Sequence, residues 1–206
     1  MTISPDELKF WEERYATPDY AFGTAPSYFL EQCKPLLPRG GKALAVADGE
    51  GRNGVWLAEQ GLDVTATDFS PSALAKARAL AAERKVAVTF IEADVHAWPY
   101  PEAAFDVVAE IFTQFSTPCD RARKWAGMRR ALTSGGLLIL QGYTPKQLDY
   151  GTGGPKVRDQ LYTRAMLEDA FGDFRDLHIS EEDRELHEGR SHAGLSAVIN
   201  LTGYKP

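Results

Sequence analysis

The chain has 206 residues, of which 44% are hydrophobic and 25% charged, and these proportions are typical of one soluble globular domain with a sizeable core. A net charge of −6 argues against non-specific binding to nucleic acid. The two cysteines are far apart, residues 1–15 lack a secretory apolar core, and no apolar run approaches the ~20 residues of a membrane span. We therefore expect a cytoplasmic protein with no disulfide framework, no nucleic-acid partner and no membrane partner.

The first half of the chain predicts alternating strands and helices. The first helix has Ser4 as its N-cap, Pro5 as its first residue and Glu7 as the capping-box partner of Ser4, and it ends near Ala16. An aromatic-rich connection follows it, and the next elements alternate as in parallel βαβ units. The predicted strands are 42–47, 63–67, 86–92, 105–111 and 137–142, and the predicted helices are 52–60, 70–84 and 117–132.

The pattern changes after the fifth predicted strand. Residues 144–162 form a long connection that contains three glycines, and such loops are usually functional or mobile. A helix at 163–170 precedes two strand-like runs, 174–181 and 193–201, which can pair antiparallel. Residues 1–206 are thus predicted to form a single doubly wound, Rossmann-like α/β domain. Its seven-stranded sheet is mostly parallel, with an antiparallel C-terminal strand pair and helices on both faces.

A glycine-rich turn in residues 44–54 joins the first predicted strand to its helix. The glycines that satisfy a literal G-x-G-x-x-G spacing are Gly49, Gly51 and Gly54. Gly51 would let a cofactor approach the backbone, and Asp68 at the end of the next strand would accept hydrogen bonds from ribose hydroxyls. Asp48 and Glu50, however, would repel a pyrophosphate. S-adenosylmethionine carries two cationic groups and no phosphate, so the acidic turn favours that cofactor.

A further acidic residue follows the third predicted strand. Asp94 could accept a hydrogen bond from the adenine amino group, while Val95 would offer its backbone N–H to the ring. The carboxyl ends of parallel strands meet at one edge of the sheet, where open α/β sheets bind their ligands. The sequence therefore predicts an adenosine site at this edge.

With these residues the chain resembles the class I S-adenosylmethionine-dependent methyltransferases. Within that class it is most similar to the small tellurite-resistance (TehB-like) methyltransferases. The glycine turn of that group is similar to residues 49–53, and its N-terminal segment is similar to residues 11–15 followed by 20–26. The resemblance covers nearly the full length of the chain.

The resemblance implies that residues 1–30 form a lid over the cofactor. In this lid Arg14 would bind the methionine carboxylate, and Tyr15 would help to enclose the sulfonium, which aromatic faces attract. The chain departs from the class at Ala45 and Ala47, because an acid two residues before the first glycine commonly helps to hold the methionine ammonium.

The predicted site has a cofactor part and an acceptor part. The predicted cofactor residues are Arg14, Tyr15, Gly23, Asp48, Gly49, Glu50, Gly51, Asn53, Asp68, Phe69, Ser70, Asp94, Val95, Glu110 and Ile111. The predicted acceptor residues, in or near loop 144–162, are Tyr143, Tyr150, Lys156 and His192. No metal site is predicted, because His187 and His192 have no further ligands at a recognisable spacing. His96 is expected at the surface, and residues 181–185 are expected to form a solvated face.

The predicted function is methyl transfer from S-adenosylmethionine to a small molecule, in which the protein aligns the groups and excludes water. A soft thiol or chalcogen nucleophile would need little base, whereas a hydroxyl or amine would need a proton acceptor. The candidates for that proton acceptor are Glu110, Tyr143, His187 and His192. Two alternatives stay open: a non-enzymatic S-adenosylmethionine-binding module, favoured by Ala45 and Ala47, and an NAD(P)-dependent oxidoreductase, favoured by the glycine spacing.

Overall fold

A computed structural model describes residues 3–206, so the first two residues of the expected lid lie outside the described part. The strands are β1 Lys42–Ala45, β2 Asp63–Asp68, β3 Val88–Glu92, β4 Phe105–Ile111, β5 Leu132–Tyr143, β6 Arg175–Glu188 and β7 His192–Tyr204. The helices are α1 Pro5–Tyr15, α2 Tyr28–Gln32, α3 Arg52–Glu59, α4 Pro71–Arg84, α5 Pro118–Ala131, α6 Gln147–Tyr150 and α7 Arg164–Phe171. Among residues 3–206, no helix is both long and apolar enough to cross a membrane.

The seven strands form one sheet in the order β3-β2-β1-β4-β5-β7-β6. Strands β1 to β5 pair in parallel, and β7 runs antiparallel to both of its neighbours, β5 and β6. The predicted fold class is therefore confirmed. The carboxyl ends of β1, β2 and β4 lie side by side, and this arrangement brings the loops that follow them to one edge of the sheet.

Alternating side chains of the central strands fill two cores, one on each face of the sheet. On β5, Leu138 and Leu140 pack with α5 and α7, whereas Leu137 and Ile139 pack with α2 and α3. All four leucine and isoleucine side chains are fully buried or nearly so. Burial on both faces is what makes β5 a continuous apolar run in the sequence.

The starts of several helices follow the capping signals in the sequence. The Ser4 hydroxyl accepts a hydrogen bond from the N–H of Glu7 at 3.2 Å, and the Ser70 hydroxyl accepts one from the N–H of Ala73 at 3.1 Å. Each serine precedes a proline at the first helical position. These predicted helix starts are confirmed. In the chain, Ser70 follows shortly after the last residue of β2, Asp68.

The C-terminal hairpin is much longer than the sequence predicts. Strands β6 and β7 continue to a tight turn at which Glu188 pairs with His192. The residues 181–185 belong to β6, and all of them are exposed except Arg184, which is half-buried, so they form the solvated face that the sequence predicts. β6 is an edge strand, and charged side chains on such strands protect them from pairing with other chains. The acidic composition therefore concealed a strand whose tip extends to the carboxyl edge of the sheet.

Candidate functional site

A small cavity of about 50 Å³ lies at the carboxyl ends of β1, β2 and β4. Helix α1 and the β6–β7 hairpin also contribute to its wall. The predicted cofactor residues that line it are Tyr15, Asp48, Gly49, Asn53, Asp68, Phe69 and Ile111. The lining residues that the sequence did not single out as cofactor ligands are Trp11, Phe22, Ala47, Arg52, Phe112, Phe115 and His192.

Asp68 forms the floor of the small cavity. One carboxylate oxygen accepts the N–H of Gly49 at 2.8 Å, and the other accepts the N–H of Ser70 at 2.9 Å. Only 4% of the residue is exposed, and burial raises the pKa of its carboxyl to about 6. A carboxylate has about four acceptor positions, so each oxygen can still accept a hydrogen bond from a ligand hydroxyl.

A second acid, Asp48, lies near Asp68 in the glycine-rich turn that follows β1. Asp48 accepts the N–H of Gly54 at 2.9 Å, and burial raises the pKa of its carboxyl to about 7. Ala47 and Phe112, which also line the cavity, have φ values of 49° and 56°, in the left-handed region that favours glycine. Strain of this kind persists where the surrounding structure holds it, and it is concentrated at functional sites.

Two residues of the turn hold the lid segment. Glu50, which is 3% exposed, accepts the N–H of Ala21 at 2.8 Å and forms an ion pair of 2.8 Å with Lys76. Asn53 accepts the N–H of Ser27 at 3.0 Å through its side-chain oxygen. Glu50 does not line the small cavity, so the structure places it behind the lid segment and away from the predicted cofactor contact.

Helix α1 closes the small cavity from outside. The Glu12 carboxylate accepts hydrogen bonds from the Ser70 hydroxyl, from the Ser72 N–H at 3.2 Å and from the Ser72 hydroxyl at 2.6 Å. On the same helix Trp11 stacks on Tyr15, with ring centroids 5.6 Å apart. Sites for drug-sized ligands have volumes of about 300–1,000 Å³. We therefore expect a nucleoside-sized ligand to need a displacement of α1, one of the elements that line the small cavity.

Gly51 has a packing role that its sequence position did not reveal. Its φ is 90°, and a Cβ added to it would lie 2.7 Å from the Cβ of Ala77 in α4. The bare α-carbon thus lets α3 begin close against α4, and the approach of a cofactor to the Gly51 backbone stays a prediction. Gly49 is different, because a Cβ there would lie 2.9 Å from the Tyr15 hydroxyl, within the small cavity.

Glu110 does not line the small cavity. Its carboxylate is fully buried and accepts hydrogen bonds from Thr113 at 2.6 Å, Tyr162 at 2.8 Å and the Trp125 indole at 2.9 Å. It also forms an ion pair of 2.6 Å with Lys124, which is fully buried too. With four donors around it, the carboxylate is committed to the core, so the prediction of a cofactor contact or a proton acceptor at Glu110 is wrong.

The predicted adenine acid is covered by the N-terminal segment. Asp94 accepts the N–H of Ile3 at 2.9 Å and the N–H of His96 at 2.9 Å. The His96 side chain is 7% exposed and its Nε2 lies 2.8 Å from the Ser116 hydroxyl, so the expectation of a surface residue is wrong. The predicted cofactor residues that, like Asp94, do not line the small cavity are Arg14, Gly23, Glu50, Gly51, Ser70, Val95 and Glu110.

A large cavity of about 720 Å³ adjoins the small one. The residues that line both cavities are Trp11, Phe22, Phe112, Phe115 and His192. The large cavity brings together the predicted acceptor residues Tyr143, Lys156 and His192, and it also contains Arg14. Tyr150 is absent from its wall, and its ring instead lies 5.5 Å from the Lys146 amine.

Comparisons with known proteins agree with this architecture. Residues 43–136 match the family profile described as a methyltransferase domain. A demethylmenaquinone methyltransferase from Thermus thermophilus is 36% identical over 106 residues, which are 50% of this chain and 48% of that protein. The chain thus spans about half the length of this curated relative.

Two solved structures share the fold over nearly the whole chain. The structure described for the conversion of a disulfide bond into a thioacetal group during echinomycin biosynthesis has a TM-score of 0.74 at 17% identity, covering 96% of this chain and 89% of the other. TehB from Haemophilus influenzae has a TM-score of 0.71 at 17% identity, covering 97% of this chain and 67% of the other. At such low identity these likenesses concern the fold.

The strand order, the acidic glycine turn at the carboxyl edge and the match of residues 43–136 to a methyltransferase domain agree with the predicted resemblance to the class I S-adenosylmethionine-dependent methyltransferases. S-adenosylmethionine is the cofactor of that class. The match to a methyltransferase domain does not favour the oxidoreductase alternative.

Proposed function

We propose that the chain transfers a methyl group from S-adenosylmethionine to a small organic molecule. In this proposal residues 1–206 act as one domain, with residues 1–30 as the lid and residues 144–162 on the acceptor side. The observation that carries the proposal is the pair of adjoining cavities, which share five lining residues. Such an arrangement would let a cofactor in the small cavity meet an acceptor in the large one.

The residues of the small cavity suit this cofactor. Asp68 would accept hydrogen bonds from the ribose hydroxyls, and Asp48 adds a second acid beside it. Buried acids with a raised pKa gain from a neighbouring cation, so they favour a ligand that carries positive charge. The rings of Trp11, Tyr15 and Phe22 supply aromatic faces for a sulfonium. When bound, S-adenosylmethionine supplies an already activated methyl group.

The large cavity favours an organic acceptor. Its volume of about 720 Å³ lies within the range of sites for drug-sized molecules. Its aromatic lining residues are Phe10, Trp11, Phe22, Phe112, Phe115 and Tyr143. A bare chalcogen anion would fill little of this space, whereas an aromatic thiol would fill it and would still be a soft nucleophile. The Thermus relative carries the name of a quinone methyltransferase, which also suits a ring-shaped acceptor.

Turnover separates this proposal from a module that only binds the cofactor. We would incubate the chain with methyl-labelled S-adenosylmethionine and 2-naphthalenethiol and measure the labelled thioether. Lys156→Ala, in the large cavity, should impair use of the acceptor more than it impairs cofactor binding. Lys146→Ala, which removes a lysine that is paired with Asp183 outside the cavity wall, is the matched control.

Binding of the cofactor product without labelled thioether would contradict the proposed methylation of a thiol. A loss confined to cofactor affinity in Lys156→Ala would remove this residue from the acceptor site.

A further inference from the structure

A cluster of buried polar atoms without hydrogen-bond partners lies where the two cavities meet. Four of the five such side-chain atoms in residues 3–206 belong to it. They are Arg52 Nη1, the Tyr143 hydroxyl, Glu188 Oε2 and His192 Nδ1. Buried polar groups in folded proteins are nearly always paired. Arg52 Nη1 and Glu188 Oε2 lie 2.7 Å apart and neutralise each other, so the Tyr143 hydroxyl and the His192 ring are the polar groups left for a ligand at the wall of the large cavity.

Charge within this cluster is arranged around Glu188, at the tip of the hairpin. Arg52 Nη1 lies 2.7 Å from Glu188 Oε2, close enough for an ion pair although the two groups are not aligned as a hydrogen bond. The other Glu188 oxygen accepts the N–H of Tyr28 at 3.0 Å. His192 Nδ1 lies 3.9 Å from Glu188 Oε2, and this carboxylate can therefore stabilise a positive charge on the imidazole.

His192 itself lies between two aromatic rings at the junction. Its ring centroid is 4.5 Å from that of Phe22 and 4.5 Å from that of Phe112. Burial, together with the cations Arg52 and Arg14, lowers the pKa of the imidazole to about 4, although Glu188 opposes the shift. The side chain is therefore neutral near pH 7 and has a ring nitrogen free to accept a proton.

We propose that the large cavity binds an aromatic molecule with a weakly acidic hydroxyl, and that His192 takes the proton of that hydroxyl. This inference rests on the proposed methyl transfer. The O–H bond of the acceptor breaks, its electron pair stays on oxygen, and an N–H bond forms at Nε2, because Nδ1 lies on the Glu188 side. The products of the step are an oxygen anion and an imidazolium, so charge balances without a further reactant. The anion is the nucleophile that the activated methyl group requires.

The first test measures binding and needs no turnover. Calorimetry on the complex with S-adenosylhomocysteine would compare 2-naphthol with naphthalene, which has the same rings and no hydroxyl. We expect the wild-type chain to prefer 2-naphthol by about tenfold, the value of one buried hydrogen bond. His192→Phe keeps an aromatic ring between Phe22 and Phe112 and should abolish the preference. His187→Phe, at an exposed site on the neighbouring strand β6, should retain it.

A wild-type chain that binds S-adenosylhomocysteine but shows no preference for the hydroxyl overturns the acceptor class, while the proposed function stands. No binding of S-adenosylhomocysteine would instead contradict the proposed function.

The second test separates proton transfer from binding. His192→Phe should slow methylation of 2-naphthol at saturating acceptor by about a hundredfold, the usual contribution of a general base. Methylation of 2-naphthalenethiol, which ionises readily without a base, should change by less than about threefold. Equal slowing of both acceptors would overturn the role of His192 as proton acceptor.

Discussion

Glu12→Ala is expected to speed the entry of ligands into the small cavity. The Glu12 carboxylate is the side chain that joins α1 to the start of α4, through the Ser70 hydroxyl and two groups of Ser72. The small cavity of about 50 Å³ cannot take a nucleoside while this contact persists. The rate of association therefore depends on how often the contact breaks.

The size of the effect follows from these hydrogen bonds. A hydrogen bond to a charged group contributes about 1.5–3 kcal/mol when it is shielded from water. Glu12 is partly exposed, so screening reduces the sum of its three bonds, and we expect about 2 kcal/mol in total. That free energy corresponds to an increase in the opening equilibrium, and in the association rate, of about thirtyfold.

Stopped-flow fluorescence on mixing with S-adenosylhomocysteine measures this rate, because Trp11 lies in the wall of the small cavity and stacks on Tyr15. Glu13→Ala is the matched control, since that side chain is 69% exposed and forms an ion pair with Lys9 in the preceding turn of α1. Equal association rates in wild type and Glu12→Ala, or an equal increase in Glu13→Ala, would refute the closed-lid interpretation.

Four further predictions concern the acids and the glycine turn. Burial raises the pKa of Asp48 to about 7, so the affinity for cationic S-adenosylmethionine should increase between about pH 5.5 and about pH 8, and binding should release protons. Both effects should be smaller in Asp48→Asn, and calorimetry in different buffers would measure them. The same raised pKa means that the folded ligand-free chain holds this proton more tightly than the unfolded one, so its stability should fall as pH rises towards 7. Asp68→Ala should weaken the binding of S-adenosylhomocysteine by about 1–3 kcal/mol, whereas Asp63→Ala, at the far end of β2, should not. Gly51→Ala should lower the free energy of unfolding in urea by about 1–3 kcal/mol more than Gly61→Ala, because both have φ near 90° but only Gly51 is crowded.

Each of these has a clear contrary result. A cofactor affinity that is constant across this pH range would contradict ionisable, buried acids at the site. An unchanged dissociation constant in Asp68→Ala would exclude its contact with the ribose. Equal destabilisation by the two glycine substitutions would show that the close approach of α3 to α4 carries no cost.

The sequence predicts best where local chemistry and topology act together. The sheet edge, the positions of Asp68 and Gly49, and the helix starts at Ser4 and Ser70 follow from alternating apolar strands, turn residues and capping signals. Parallel βαβ units bring the ends of neighbouring strands together, so the acids at those ends meet without further information.

The sequence predicts poorly where a side chain finds a distant partner. Glu110 and Glu50 looked like ligand residues, yet one is paired with Lys124 in the core and the other with Lys76 behind the lid segment. Nothing in the local pattern shows these pairings. The length of the β6–β7 hairpin was also not predicted, because β6 is an edge strand rich in charged residues. The pairing of His192 with Glu188 is therefore visible only in the folded structure.

Calorimetric titration of the chain with S-adenosylhomocysteine, with NAD and NADP in parallel, tests the central claim most directly. The acidic turn and the two buried acids predict binding of S-adenosylhomocysteine alone. Binding of a nicotinamide cofactor without S-adenosylhomocysteine would contradict the account.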